Sequence, residues 1–168
     1  MKGMRKGLVV ALLHVMLVSS LGAKLLYDRA TRPRIWVRSF SYDPDLPIRG
    51  RYVALSARAE IGNSVDPMQK FPDMSLWVPV RLEVRSGKLY AITDDRGSVH
   101  VRTKNPDGTV SLSESSMFFI PERANDPTRL KAGETLWFEA TIPKKGPPRP
   151  IRLAISKGDG SFVPLDLK

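Results

Sequence analysis

Cysteine is missing from all 168 residues. Its absence excludes disulfides, thiol catalysis, cysteine-ligated metals and a lipidated-cysteine anchor. Histidine is nearly missing too: His14 lies inside a hydrophobic segment and His100 falls on the polar phase of a predicted strand. Without a histidine pair at ligand spacing, no zinc or copper site is expected. Asp94-Asp95 lacks the alternating oxygen ligands of a calcium loop and reads as an acidic turn. The chain also has no G-x-S-x-G elbow, and its glycines sit in hairpin positions rather than between a strand and a helix, so phosphate loops and dinucleotide fingerprints are absent. No catalytic residue, metal or cofactor is therefore expected.

What is present is positive charge. Twenty-seven Lys and Arg stand against 17 acidic residues, a net +10, and the excess is spread along the chain without runs of like charge. This favours anionic partners such as lipid headgroups. Nucleic acid is not an expected partner, because no recognition-helix, zinc-finger or RNP-like pattern accompanies the charge. The length suits one domain with a real core.

Gly7 to Ala23 carries no acidic or strongly basic side chain and lies between Lys6 and Lys24. Its seventeen residues span roughly 26 Å as a helix, the short end of a bilayer crossing. Leu25, Leu26 and Tyr27 extend it if Lys24 snorkels, and Tyr27 then reaches headgroup level. A transmembrane helix over 7–27 is the expectation, with 1–6 as a cytoplasmic basic N-terminus and 28–33 as a linker. The rival is a cleaved signal peptide, with Ser19, Ser20, Gly22 and Ala23 offering a cut after Gly22. The anchor is favoured because apolar character continues past that point. Lys2, Arg5 and Lys6 argue for a cytoplasmic N-terminus, opposed in part by Lys24, Arg29, Arg32, Arg34 and Arg38 on the other side. The following domain is placed outside the cytoplasm.

From 34 to 168 the periodicity is that of strands. Val78, Val80, Leu82 and Val84 alternate with Pro79, Arg81 and Glu83, and Leu136, Phe138, Ala140 and Ile142 with Thr135, Trp137, Glu139 and Thr141. Val53, Leu55, Ala57, Ala59 and Ile61 do the same. Ser86-Gly87 is short enough for a tight hairpin, and Asp95-Arg96-Gly97, Asn105-Pro106-Asp107-Gly108 and Lys157-Gly158-Asp159-Gly160 supply further turns. Two proline-containing segments, 63–73 and 121–130, resist assignment as strands. About eight or nine strands predict an all-β domain, an antiparallel sandwich or barrel.

Trp36, Trp77 and Trp137 fall on the phase opposite the aliphatic residues of their strands, as do Tyr52, Arg34, Arg38, Arg81, Arg85 and Arg152. If these strands share a sheet, Trp36, Trp77, Trp137, Arg81 and Arg152 form a surface able to hold sugars, an anionic polymer or a partner protein. The alternative, which the frequent burial of aromatics on both faces of β domains favours, is a second core covered by the loops at 63–73 and 121–130.

A Ser–Lys hydrolase is a rival from a different class. Arg49-Gly50-Arg51-Tyr52-Val53 resembles one motif of anchored signal peptidases, but their serine followed by Met-x-Pro just after the anchor is missing here. Ser115-Ser116-Met117 lies far downstream.

The stretch from Tyr42 to Ser56, with Asp43-Pro44 ahead of Gly50, Tyr52 and Leu55, resembles the signature of the GDYXXLXY family of bacterial membrane-anchored proteins. Arg51 stands in place of the motif aspartate and Ala57 in place of its last tyrosine. The run Met117-Phe118-Phe119-Ile120-Pro121-Glu122 is similar to the family's aromatic segment. The family brings no established catalytic activity. Its members are typically encoded beside multi-spanning membrane proteins, so the resemblance implies work in a membrane complex. The resulting expectation is a non-enzymatic, single-pass protein of the bacterial cytoplasmic membrane. Its β domain faces the periplasm or cell exterior as an accessory or binding subunit, with the lipid bilayer and an integral membrane protein as partners. A secreted binding protein released by signal cleavage is the remaining alternative.

Overall fold

A computed structural model describes residues 2–42, 52–62, 77–158 and 160–167. The chain divides into two compact units, Met1–Arg32 and Pro33–Lys168. The first is one helix, α1 (Lys2–Thr31). Consecutive residues such as Leu8, Val9 and Val10, and again Val15, Met16, Leu17 and Val18, are all exposed, so the helix is apolar around its whole circumference. It is long and apolar enough to cross a membrane. His14 lies among these residues and donates from Nδ1 to the Val10 carbonyl one turn back at 2.8 Å.

The helix overruns the expected boundaries at both ends. Residues 28–31, expected in a linker, are helical: the Thr31 hydroxyl donates to the Tyr27 carbonyl at 2.8 Å and the Arg32 amide to Asp28 at 2.9 Å. Asp28 and Arg32 also pair at 3.5 Å. Polar residues end the hydrophobic run at Tyr27 without ending the helix, because Arg and Ala are good helix formers. Pro33 ends it, since a proline disfavours helical geometry in the residue before it. Only Arg32 and Pro33 separate α1 from the first strand.

The second unit is all β, as the alternation predicts. Its strands are β1 (Arg34–Tyr42), β2 (Tyr52–Ile61), β3 (Val78–Arg85), β4 (Lys88–Thr93), β5 (Val99–Lys104), β6 (Val110–Phe119), β7 (Thr135–Thr141), β8 (Arg149–Ser156) and β9 (Val163–Pro164). They run in the order β4-β3-β5-β6-β2-β1-β7-β8-β9, and β4 also pairs with β2. That extra pairing closes β2, β6, β5, β3 and β4 into a barrel. It is parallel, through Glu60 with Tyr90 and Ile61 with Ala91, whereas the other ladders are antiparallel.

Strand β1 belongs to two sheets. Ser39 to Tyr42 pair with β2, while Arg34 to Arg38 pair with β7. The same edge of β2 is thus shared, by β1 over its first half and by β4 at its last two residues. Between barrel and second sheet lies one continuous core, in which Leu55, Val80, Val101, Leu112, Leu136, Phe138 and Leu153 are almost fully buried. Burying such side chains supplies roughly 1.5–3 kcal/mol each. The segment 121–130 is irregular turns that send Ala124 and Leu130 into this core. The segment 63–73 lies outside the described residues.

The β3–β4 connection is a two-residue hairpin. Arg85 pairs with Lys88, and Ser86 and Gly87 have φ of 49° and 76°. Positive φ at both positions matches the right-handed twist of the flanking strands.

Candidate functional site

Alternation on β1 sends Ile35, Val37 and Ser39 into the core and Trp36, Arg38 and Phe40 outward. The register of the second sheet then sets Trp36 beside Glu139 of β7, and Glu139 beside Arg152 of β8. Arg38 faces Trp137 in the next row. Three of the five residues expected on a common surface, Trp36, Trp137 and Arg152, therefore come together.

Their cover is Phe162, which sequence reasoning missed. Its ring stacks on Trp36 at 5.0 Å between centroids with an 11° interplanar angle, and meets Trp137 edge-on at 5.1 Å and 67°. The Arg152 guanidinium lies 5.3 Å from the Trp36 ring centre and is held by Glu139 at 2.7 Å. Trp137 Nε1 donates to the Thr135 hydroxyl at 2.9 Å. The half-buried tryptophans are thus covered from the C-terminal segment, whereas the segment 121–130 is committed to the aliphatic core.

Trp77 and Arg81 are elsewhere. Both belong to the β3 region, which β5, β6 and β2 separate from β1 along the sheet order. Trp77 is 57% exposed and meets the His100 ring edge-on at 5.6 Å. Arg81 is exposed and pairs with Glu83 at 2.6 Å and Asp94 at 3.6 Å. The five residues do not share one face because the barrel turns β3 away from the second sheet.

Beside the aromatic cluster is a groove of about 500 Å³, within the usual size range of ligand pockets. It opens where β1 leaves β2. Continuing the β1–β2 register one step past Ser39 and Ala57 would set Arg38 opposite Arg58, yet these residues are not paired as strand partners. Both instead reach the Asp107 carboxylate, whose Oδ2 lies 3.2 Å from Arg38 and 3.1 Å from Arg58. Asp107 is fixed by its own turn, where the Thr109 hydroxyl donates to Oδ1 at 2.6 Å and the Thr109 amide at 3.1 Å. These two hydrogen bonds, and after them the charges of Arg58 and Arg38, hold its carboxyl below the usual aspartate value.

A second exposed feature lies farther along the same outer face. Phe40 stands beside Ser56, Ala54 beside Met117, and Tyr52 beside Phe119, with β2 between β1 and β6. Phe40 and Phe119 are 62% and 67% exposed. Tyr52 is buried next to Phe119, their ring centres 6.1 Å apart. Leu55 is core. The visible motif residues thus pack the sheet, and Gly50 lies outside the described residues.

No metal-holding group of three or more His, Cys, Asp or Glu side chains occurs among the described residues. His100 is held by Glu114, with Nδ1 2.8 Å from Oε1 and its amide 2.9 Å from Oε2. Ser113 donates to the His100 backbone carbonyl at 2.8 Å and also reaches Glu114 Oε2 at 3.5 Å, and Ser116 donates to the Pro148 backbone carbonyl at 2.6 Å. No protein-family model, curated protein or solved structure matches the chain.

Proposed function

We propose that the chain is a membrane-anchored, non-enzymatic binding subunit. Its β domain works on the periplasmic or outer side of the bacterial cytoplasmic membrane beside an integral membrane protein. The observation that carries this reading is α1, apolar on every side and separated from a β unit by only two residues. The basic residues Lys2, Arg5 and Lys6 ahead of the apolar run support a cytoplasmic N-terminus. The row of exposed Phe40, Met117 and Phe119 supports a partner-binding role, because neighbouring exposed apolar side chains mark interaction surfaces. The resemblance to the GDYXXLXY family points the same way.

Alkaline extraction and protease protection of the full chain in cells test this reading. It expects retention in the membrane pellet and digestion of the β domain by protease added from outside. A mature protein beginning at Ala23 and released to the soluble fraction would establish the secreted alternative instead. A specific adduct with a serine-reactive probe would overturn the non-enzymatic reading in favour of a hydrolase.

A further inference from the structure

His14 is the titratable side chain within the apolar run from Gly7 to Ala23. Gly7 lies seven residues before it and Tyr27 thirteen after, roughly 10 and 20 Å of helix. In a spanning α1 the ring therefore sits in hydrocarbon, too deep for so short a side chain to snorkel to either surface. Its Nδ1 lies 2.8 Å from the Val10 carbonyl. A carbonyl oxygen only accepts, so Nδ1 carries a proton. A second proton, and with it a charge, is costly at that depth. Nε2 is then an acceptor alone, and nothing among the described residues bonds to it. Acyl chains offer no donor, so its lone pair is met only if another helix supplies one.

A second observation lies on the same face. Gly7, Ala11, His14, Val18 and Gly22 follow at intervals of four, three, four and four, the spacing of one side of a helix. Glycine is a poor helix former. A Cβ at Gly7 or Gly22 would meet nothing within 4 Å, so nothing in this chain calls for glycine at either place. Small residues serve where the backbone of a neighbouring helix comes close.

We infer that this face of α1 docks against a transmembrane helix of a different protein, which offers a hydroxyl or amide N–H to His14 Nε2. A second copy of this chain does not fit, because a symmetric pair would set two acceptors against each other. The partner's side chain at that depth is therefore of the Ser, Thr, Asn or Gln kind. This inference rests on the reading of α1 as a spanning helix beside an integral membrane protein.

The test places the full chain, dye-labelled at its N-terminus, in phosphatidylcholine vesicles. A lysine-flanked transmembrane peptide of leucine and alanine carries the acceptor dye, with Asn at the level of His14 in one version and Leu in the control. Energy transfer to the Asn peptide is expected at a bilayer concentration at least about threefold lower than to the control, the size of one interhelical hydrogen bond. His14→Leu removes that preference, and Gly22→Leu weakens capture of the Asn peptide. Nitrogen NMR of the histidine-labelled chain should show a neutral ring protonated on Nδ1, its signal identified by its loss in His14→Leu. Equal capture of both peptides, a preference that survives His14→Leu, a proton on Nε2, or self-association that His14→Leu abolishes would each overturn the inference. His14→Leu leaves the run more apolar, and membrane extraction and protease protection report on the anchor alone. Failure of this face is thereby separable from failure of the anchored reading.

Discussion

Arg38 and Arg58 stand where the ladder between β1 and β2 would have made them partners, and the Asp107 carboxylate joins them instead at 3.2 and 3.1 Å. Two guanidinium groups directly opposite each other would repel. An acidic side chain delivered by the turn between β5 and β6 relieves that repulsion where the strands part.

Asp107 therefore gives the domain an acid-sensitive contact. Its carboxyl titrates below the ordinary value of 3.8, so the charged form is the one the fold favours. The resulting stabilisation is complete above that unfolded value and is lost as pH falls through the lowered folded one. Because the side chain is 38% exposed, its contribution is screened, on the order of 1 kcal/mol or less. Asp107→Asn should lower the denaturation midpoint near neutral pH, and the gap to the parent should narrow as pH falls below 3.8. Urea melts of the full chain across that range measure it.

Phe162 is expected to be a structural cap. Phe162→Ala should cost roughly 1–3 kcal/mol, less than the about 3–5 kcal/mol of a fully buried phenylalanine, since the ring is only half-buried. Uncovering Trp36 and Trp137 should also shift tryptophan emission to the red. Unchanged emission with unchanged stability would show that the cluster does not depend on this ring.

Gly97 tests a close approach rather than a turn. A Cβ there would lie 2.5 Å from the backbone nitrogen and oxygen of Val80 in β3. Paired backbone cannot step aside as a flexible side chain can, so Gly97→Ala should destabilise by about 2–3 kcal/mol. By contrast, Gly87→Ala meets no neighbour and pays chiefly for its φ of 76°, about 1 kcal/mol. Thermal melts of the two variants should rank them in that order.

For the helix, Leu13→Lys together with Leu17→Lys should release the chain from membranes. Each lysine near the centre of a spanning helix costs roughly 2.5–3.5 kcal/mol. Fractionation after alkaline extraction reads the outcome, and undiminished retention would argue against a spanning role for α1.

Much of the β unit was legible because burial leaves a period of two. Val78, Val80 and Leu136, Phe138 and Ala140 mark inward faces, and Ser86-Gly87 marks the turn that its dihedral angles confirm. The division of β1 between two sheets left no such mark, since Ile35, Val37 and Ser39 point inward throughout. What changes along β1 is the partner, and pairing is a long-range choice. The aromatic face was half legible for the same reason: phase places Trp36, Trp77 and Trp137 outward but cannot say which strands are neighbours. Phe162 was missed because it precedes a strand of only two residues, Val163–Pro164, too short to show alternation. The end of α1 was misplaced because hydropathy stops at Tyr27, whereas helical hydrogen bonding continues to Arg32.

The placement of β1 also has a mechanical consequence. Tension applied through α1 enters the β unit at Arg34 and runs along a strand fastened on one flank to β7 and, farther on, to β2. A pull along that strand would load hydrogen bonds of both ladders in shear rather than peel them singly. The barrel and the outer sheet would then carry the load together, and the strand nearest the anchor would be the hardest to strip away.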